Sequence, residues 1–140
     1  AAPDEDIKQL WRRIVFNVLI SNTDDHLRNH GFLYESHGKN GWGWKLSPAY
    51  DLNPTPTEIK PRILTTAIDF NNDFASLETA LSVSENFRLN KNEANKIIKE
   101  VAKSTSKWRE VARNFDLKKK EIDRMSSAFE HEDLERANKI

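Results

Sequence analysis

The chain has no cysteine among its 140 residues. That excludes a disulfide scaffold and a cysteine-ligated zinc site, and it is compatible with a reducing cytoplasm, the expected location. No apolar run approaches the roughly 20 residues that a membrane span needs. The first residues, Ala1-Ala2-Pro3-Asp4-Glu5-Asp6, lack the basic segment that opens a signal peptide, so no membrane partner is expected. Charge of one sign is also missing: 22 acidic residues balance 22 basic ones. That leaves no electrostatic case for direct binding of nucleic acid. The main basic cluster, Lys118-Lys119-Lys120, is followed at once by Glu121 and Asp123 and reads as a solvated helix face. There is no internal repeat, no low-complexity segment and no linker long enough to divide the chain.

What is present fits one domain, residues 1–140, of mainly α class. A chain of this size buries about two-thirds of its unfolded surface, enough for a real core. Charged residues make up 31% and hydrophobic ones 37%, and seven Phe and four Trp exclude a disordered chain. Residues 4–21 are expected to be a helix: Ile7, Leu10, Ile14, Val15, Val18 and Leu19 recur at spacings of three and four, and Asp4, Glu5 and Asp6 suit the positive end of its dipole. Ser21, Asn22 and Thr23 end it, and 22–30 is a polar loop. Residues 31–35 and 42–46 read as the strands of a small hairpin, with turn chemistry at 36–41. Pro54, Pro56 and Pro61 make 53–61 an extended, irregular segment, and 62–69 is expected to be extended. Helices are expected over 74–84, capped by Asp73; over 91–104, with Asn90 and Glu93 forming a capping box; to about 113; and over 117–135, capped by Asp116.

Chemistry concentrates in Asn22-Thr23-Asp24-Asp25-His26-Leu27-Arg28-Asn29 and in Tyr50-Asp51-Leu52. An aspartate and an asparagine five residues apart in a loop, then a second aspartate beyond a hairpin, is the order that phosphoryl transfer needs. One carboxylate orients the attacking hydroxyl and takes its proton, while an amide oxygen and a second carboxylate hold Mg²⁺ on the phosphates of ATP. The protein-kinase catalytic loop has the same offset of five, which selects Asp24 over Asp25 as the catalytic residue and gives Asn29 and Asp51 to the metal. Asp24 also has a plainer reading, as the cap of a short turn. His26 has three readings: a zinc ligand with His30 and a carboxylate, as in a metal hydrolase; a phosphate contact; or a packed loop residue. Arg28 suits a phosphate or an ion pair with Asp25. His37 belongs to a solvated turn. Trp42 and Trp44 share one side of a strand and suit packing better than base stacking.

Thr23-Asp24-Asp25-His26-Leu27-Arg28-Asn29 followed by Phe32, and then Lys45-Leu46-Ser47-Pro48-Ala49-Tyr50-Asp51-Leu52-Asn53-Pro54, resembles the C-terminal lobe of HipA-type serine/threonine kinases, the bacterial toxins of HipB/HipA toxin–antitoxin modules. The resemblance implies a kinase C-lobe-like helical domain whose hairpin carries the catalytic loop. It implies Asp24 as the catalytic aspartate, Asn29 and Asp51 as metal ligands, and His26 and Tyr50 on the nucleotide side. The cofactor would be Mg²⁺ and the phosphoryl donor ATP. The implied partners are a protein with a Ser or Thr hydroxyl, such as an aminoacyl-tRNA synthetase, and a HipB-like antitoxin. Leu52-Asn53 stands where many kinases have Phe-Gly.

The sequence ahead of Asp24 contains neither a Gly-rich phosphate loop nor a strand-borne lysine. A nucleotide-binding lobe is itself a domain, roughly 100 residues. The expectation is a lobe without its partner lobe, either an excised segment or a truncated gene product, inactive by itself. Such a lobe should expose an apolar face around Trp11, Phe32, Trp42 and Tyr50 and self-associate through it. The alternative function is a non-catalytic interaction module that binds an antitoxin or a partner lobe.

Overall fold

Helix α1 (Pro3–Leu19) is the element on which the others pack. The computed structural model describes residues 3–140. Three acidic residues occupy the first turn of α1, and Trp11, Val15, Val18 and Leu19 form its buried face. This face meets α2 (Leu77–Ser82), α3 (Lys91–Thr105) and α7 (Glu132–Ala137), and with Leu89, Ile98 and Leu134 it makes the main core. Trp11 is fully buried, and its indole N–H donates to the Ala80 carbonyl at 2.9 Å. The expected place for Trp11 in an exposed face is therefore corrected: it lies in the same stripe as Val15 and Val18 and packs inward. Phe32, Trp42 and Tyr50 are exposed as expected.

The end of α1 fixes the direction of the next loop. The Ser21 N–H reaches the Val18 carbonyl at 3.3 Å and the Asn22 N–H reaches the Asn17 carbonyl at 2.9 Å, with Ser21 left-handed at φ 53°. This paired closure normally has glycine at the left-handed position. Here a buried serine occupies it, and its hydroxyl has no partner.

Strands β1 (Phe32–Ser36) and β2 (Trp42–Leu46) pair antiparallel, from Phe32 opposite Leu46 to Ser36 opposite Trp42. Gly38 and Gly41 supply the positive φ values that close the turn, 61° and 80°. His37 at its start is half-buried, with Nε2 enclosed, rather than solvated. Tyr34 lies against both Trp42 and Trp44, at 5.7 and 5.2 Å between ring centroids. The two tryptophans share a side, but 66% and 60% of their surface is exposed. Of packing in the core or against a lobe, the first is corrected: the rings pack on one another across the strands, on a face that nothing else among the described residues covers.

Residues 53–75 are irregular, with single bridges joining Ile63 to Phe74 and Asp69 to Asn72 instead of a strand. Arg62 anchors the segment. It donates to Asp133 at 2.7 Å and to the Val18 carbonyl at 2.9 Å, while the other Asp133 oxygen accepts the Leu77 N–H at 2.9 Å. Helix α2 starts later than expected and is capped by Ser76, not Asp73. The Asp73 carbonyl and the Ala75 N–H are still bonded to Leu64 and Arg62, which holds the chain extended to that point. Helix α3 has the expected capping box of Asn90 and Glu93 and the expected buried face of Ile97, Ile98, Val101 and Ala102.

Helix α4 (Trp108–Asn114) follows. The single helix expected over 117–135 is three: α5 (Lys119–Arg124), α6 (Ser126–Phe129) and α7. Asp116 is left-handed, φ 56°, which denies it the extended geometry of a cap, and Lys118 takes that position. The chain straightens again at His131, whose Nε2 meets the Leu19 carbonyl at 3.2 Å, and this break turns Asp133 inward to Arg62. Among the described residues no helix is long and apolar enough to cross a membrane.

The left-handed serine generates a prediction. Ser21→Gly removes a Cβ from a strained position and a hydroxyl from an enclosed one, so the variant should gain about 0.5–1 kcal/mol of stability. Paired urea titrations measure this, and a loss of stability would show that Ser21 is not strained.

Candidate functional site

The closure of α1 feeds Asn22 and Thr23 directly into the interior, where they are 1% and 0% exposed. Most buried polar side chains are bonded; the Thr23 hydroxyl has no partner, but Asn22 has a connected set of them. Asn22 Nδ2 donates to Asn17 Oδ1 at 3.0 Å. Asn17 Nδ2 donates to the Asp25 carboxylate at 2.9 Å. The His30 ring meets the same carboxylate through Nε2 at 3.1 Å, and because it faces an anion, Nε2 carries the proton. Asn22 Nδ2 also reaches the Asp51 carbonyl at 3.5 Å. One amide thus connects the helix end, the 22–30 loop and the chain beyond the hairpin.

Arg13, buried on the neighbouring turn of α1, donates to the Ser47 carbonyl and so ties the end of β2 to the helix. Burial pushes its guanidinium below the ordinary arginine value, opposed by the charges of Asp25, Asp6 and Tyr50. Gly31 follows the loop where space is short. A Cβ there would stand 3.2 Å from Ser47 Oγ and 3.3 Å from the Tyr50 hydroxyl.

These bonds separate two adjacent carboxylates. Asp25 points inward and is held by Asn17 and His30. Asp24 points outward, with 74% of its side chain exposed. No backbone N–H among the described residues donates to the Asp24 carboxylate, so the turn-capping reading has no bond behind it. Its Oδ1 lies 3.3 Å from Thr65 Oγ1 and 3.6 Å from Lys60 Nζ. Asn29 is buried at the end of a 3₁₀ turn (Leu27–Asn29) and donates Nδ2 to the Asp24 carbonyl at 3.4 Å. With its amide nitrogen engaged, Asn29 keeps Oδ1 free of any donor among the described residues. Asp51 is left-handed, φ 56°, and its Oδ1 accepts from Asn53 Nδ2 at 2.6 Å. Residues held in such backbone conformations concentrate at functional sites.

The structure therefore brings Asp24 and Asn29 into contact and ties the Asp51 backbone to their loop through Asn22. The Asp51 carboxylate itself bonds Asn53 rather than either of them. Tyr50 donates its hydroxyl to the Arg28 carbonyl at 2.8 Å, which fixes the loop and leaves only the ring for a ligand. Arg28 forms no ion pair among the described residues, so its expected partnership with Asp25 is replaced by His30 and Asn17. His26 is half-buried with Nδ1 unpartnered. The zinc reading of His26 with His30 is corrected: His30 is committed to Asp25, and no three His, Asp or Glu side chains among the described residues are grouped to hold a metal.

Five contributors escaped the sequence reading. Asn17 carried a weak signal, a polar residue next to the apolar stripe of α1. Asn22 and Asn53 were ordinary loop asparagines. Lys60 and Thr65 carried none, because only folding brings residues 60–65 across the chain to Asp24.

Asn22→Ala would leave the Asn17 amide oxygen without its donor in a buried setting and remove the 3.5 Å contact to the Asp51 carbonyl. The expected cost is about 2 kcal/mol of stability, read from urea unfolding. A cost near zero would show that water replaces Asn22 and that the network does not order the loop.

Residues 1–109 match the family model of the HipA-like C-terminal domain. A protein of Haemophilus influenzae (strain ATCC 51907 / DSM 11121 / KW20 / Rd) named "Putative kinase" is 28% identical over 122 residues, a match that covers 74% of this chain and 34% of that protein. The chain spans about a third of the length of that relative. No solved structure matches. With the family model covering most of its length, the chain belongs to the HipA-like C-terminal domain family.

Proposed function

We propose that this chain is the C-terminal catalytic lobe of an ATP-dependent protein serine/threonine kinase, the toxin of a toxin–antitoxin system. The observation that carries the reading is the split between the two adjacent carboxylates. Asp25 is turned inward and bonded to Asn17 and His30, which leaves Asp24 exposed, with Thr65 and Lys60 against its Oδ1, on the same loop as the unengaged amide oxygen of Asn29. In this role Asp24 accepts the hydrogen bond of a protein Ser or Thr hydroxyl and takes its proton at or after the transition state. Asn29 and Asp51 would hold Mg²⁺, which supplies charge neutralisation on the β- and γ-phosphates of ATP. His26 and the Tyr50 ring would face the nucleotide in this arrangement. An aminoacyl-tRNA synthetase as substrate and a HipB-like antitoxin as inhibitor complete the proposal, together with a cytoplasmic location.

The nucleotide-clamping groups belong to a second lobe in this reading, so the 140 residues alone turn over no substrate. The exposed Tyr34, Trp42 and Trp44 strip favours a second reading, a non-catalytic module that docks a partner lobe or an antitoxin.

Catalysis is tested in the chain completed with a nucleotide-binding lobe. Asp24→Asn should lower phosphoryl transfer by at least about 100-fold, the usual worth of a positioned acid–base group, and Asp51→Asn should abolish it by removing a metal ligand, while circular dichroism shows both folds intact. Autophosphorylation retained in Asp24→Asn would remove Asp24 from its role. Robust phosphorylation by the isolated 140 residues would overturn the reading of an incomplete enzyme.

A further inference from the structure

Lys60 is the basic side chain nearest the exposed carboxylate, and the chain around it is fixed on both sides. On one side, the Ile59 and Lys60 N–H groups close a turn on the Pro56 carbonyl at 2.9 and 3.2 Å, and the Thr57 N–H donates to Ser127 Oγ at 3.1 Å. On the other, Pro61 restricts the backbone and Arg62 is anchored to Asp133 and Val18. Three residues further on, Thr65 docks on the residue that precedes Asp24. Its N–H and its hydroxyl both reach the Thr23 carbonyl, at 2.9 and 3.0 Å. Lys60 is thus delivered to Asp24 by a braced segment and not by a loose surface loop.

The ion pair itself does little for stability. Its Nζ–Oδ1 distance is 3.6 Å, and the two side chains are 40% and 74% exposed. Exposed pairs of this kind add little to stability. A lysine held so close to an exposed carboxylate for so little gain is available to exchange partners. Among the described residues it is the only Lys or Arg side chain within ion-pairing distance of Asp24, and a phosphoryl group arriving there needs a cation that Asp24 cannot supply.

We propose that Lys60 binds the phosphoryl group as it is transferred at Asp24, exchanging its bond to the carboxylate for bonds to phosphate oxygens, and that Thr65 positions the Asp24 backbone for that exchange. The inference rests on the kinase reading and adds to it the group that recognises the anion on the acceptor side. In the step, the bond between the γ-phosphorus and the bridging oxygen of ATP breaks and that oxygen keeps the electron pair as ADP leaves. The substrate hydroxyl oxygen bonds to phosphorus, and its proton passes to Asp24. Lys60 stays protonated throughout and neutralises charge on the oxygens of the group in flight.

The test uses the 140-residue chain and inorganic phosphate, followed through backbone amide and lysine Nζ resonances by NMR, with and without Mg²⁺. Phosphate with Mg²⁺ should shift Lys60 and residues 24–29. Lys60→Met should weaken that binding about tenfold, the worth of one charge-assisted contact, and Lys60→Arg should restore most of it. Unchanged binding in Lys60→Met, no phosphate-dependent shift at any concentration the chain tolerates, or sulfate acting equally well without Mg²⁺, as an adventitious ion only, would each overturn the proposal. Asp51→Asn separates it from the reading beneath it. Loss of the Mg²⁺ dependence in that variant supports both, whereas Mg²⁺ dependence that survives, with Lys60 still required, upholds the lysine and removes the kinase assignment.

Discussion

The hydrogen bond from Asn17 to Asp25 is the constraint on which the site depends. A carboxylate taken into the interior must find donors, since an unpaired buried charge costs far more than folding can spare. Asp25 finds one on α1 and one on His30, at the far end of its own loop. Once both are made, the eight residues between Asn22 and Asn29 have few alternative paths. The Asp24 carboxylate faces solvent, and Asn29 is turned inward with its amide on the Asp24 carbonyl. The two neighbouring carboxylates thus differ in setting: Asp25 is bonded inside, and Asp24 is presented to solvent.

The same economy extends to the remainder of the chain. Asn22 bonds both Asn17 and the Asp51 carbonyl, so the turn beyond the hairpin is registered to the end of α1 by one amide. The Arg62–Asp133 pair does the equivalent for the irregular segment. It is largely buried, and both of its members carry an additional backbone bond, which is the condition under which a buried pair is tolerated. The break at His131 that splits the C-terminal helices makes this pair possible. The helical remainder thus serves as the support that holds residues 53–75, and with them Lys60 and Thr65, against the loop.

Much of this was legible in the residues, and the parts that were not share a cause. The periodicity of α1, the capping box at Asn90 and the hairpin turn are local signals, and the elements formed within a few residues of the expected bounds. The motif pair that carries the family was local as well. Trp11 was misplaced because closeness in sequence to the loop was taken for closeness in space, although its stripe faces the core. The start at Ser76 and the division of the last helix were hidden because each is imposed by a distant partner: the extended stretch at Arg62 and Leu64 in one case, Arg62 with the Leu19 carbonyl in the other. Lys60 and Thr65 were hidden for the same reason. Bonds that span forty residues leave no mark on a local pattern.

The central claim is that the anchored loop presents Asn29 and Asp51 to one cation beside a free Asp24. The most direct measurement is a crystal structure of the chain grown with Mg²⁺. The account predicts one ion bound by Asn29 Oδ1 and an Asp51 carboxylate oxygen, each at about 2.0–2.1 Å with water completing an octahedron, and Asp24 uncoordinated next to it. Asn29 and Asp51 turned to opposite faces of the hairpin, or an ion held by Asp25 and the histidines instead, would contradict it.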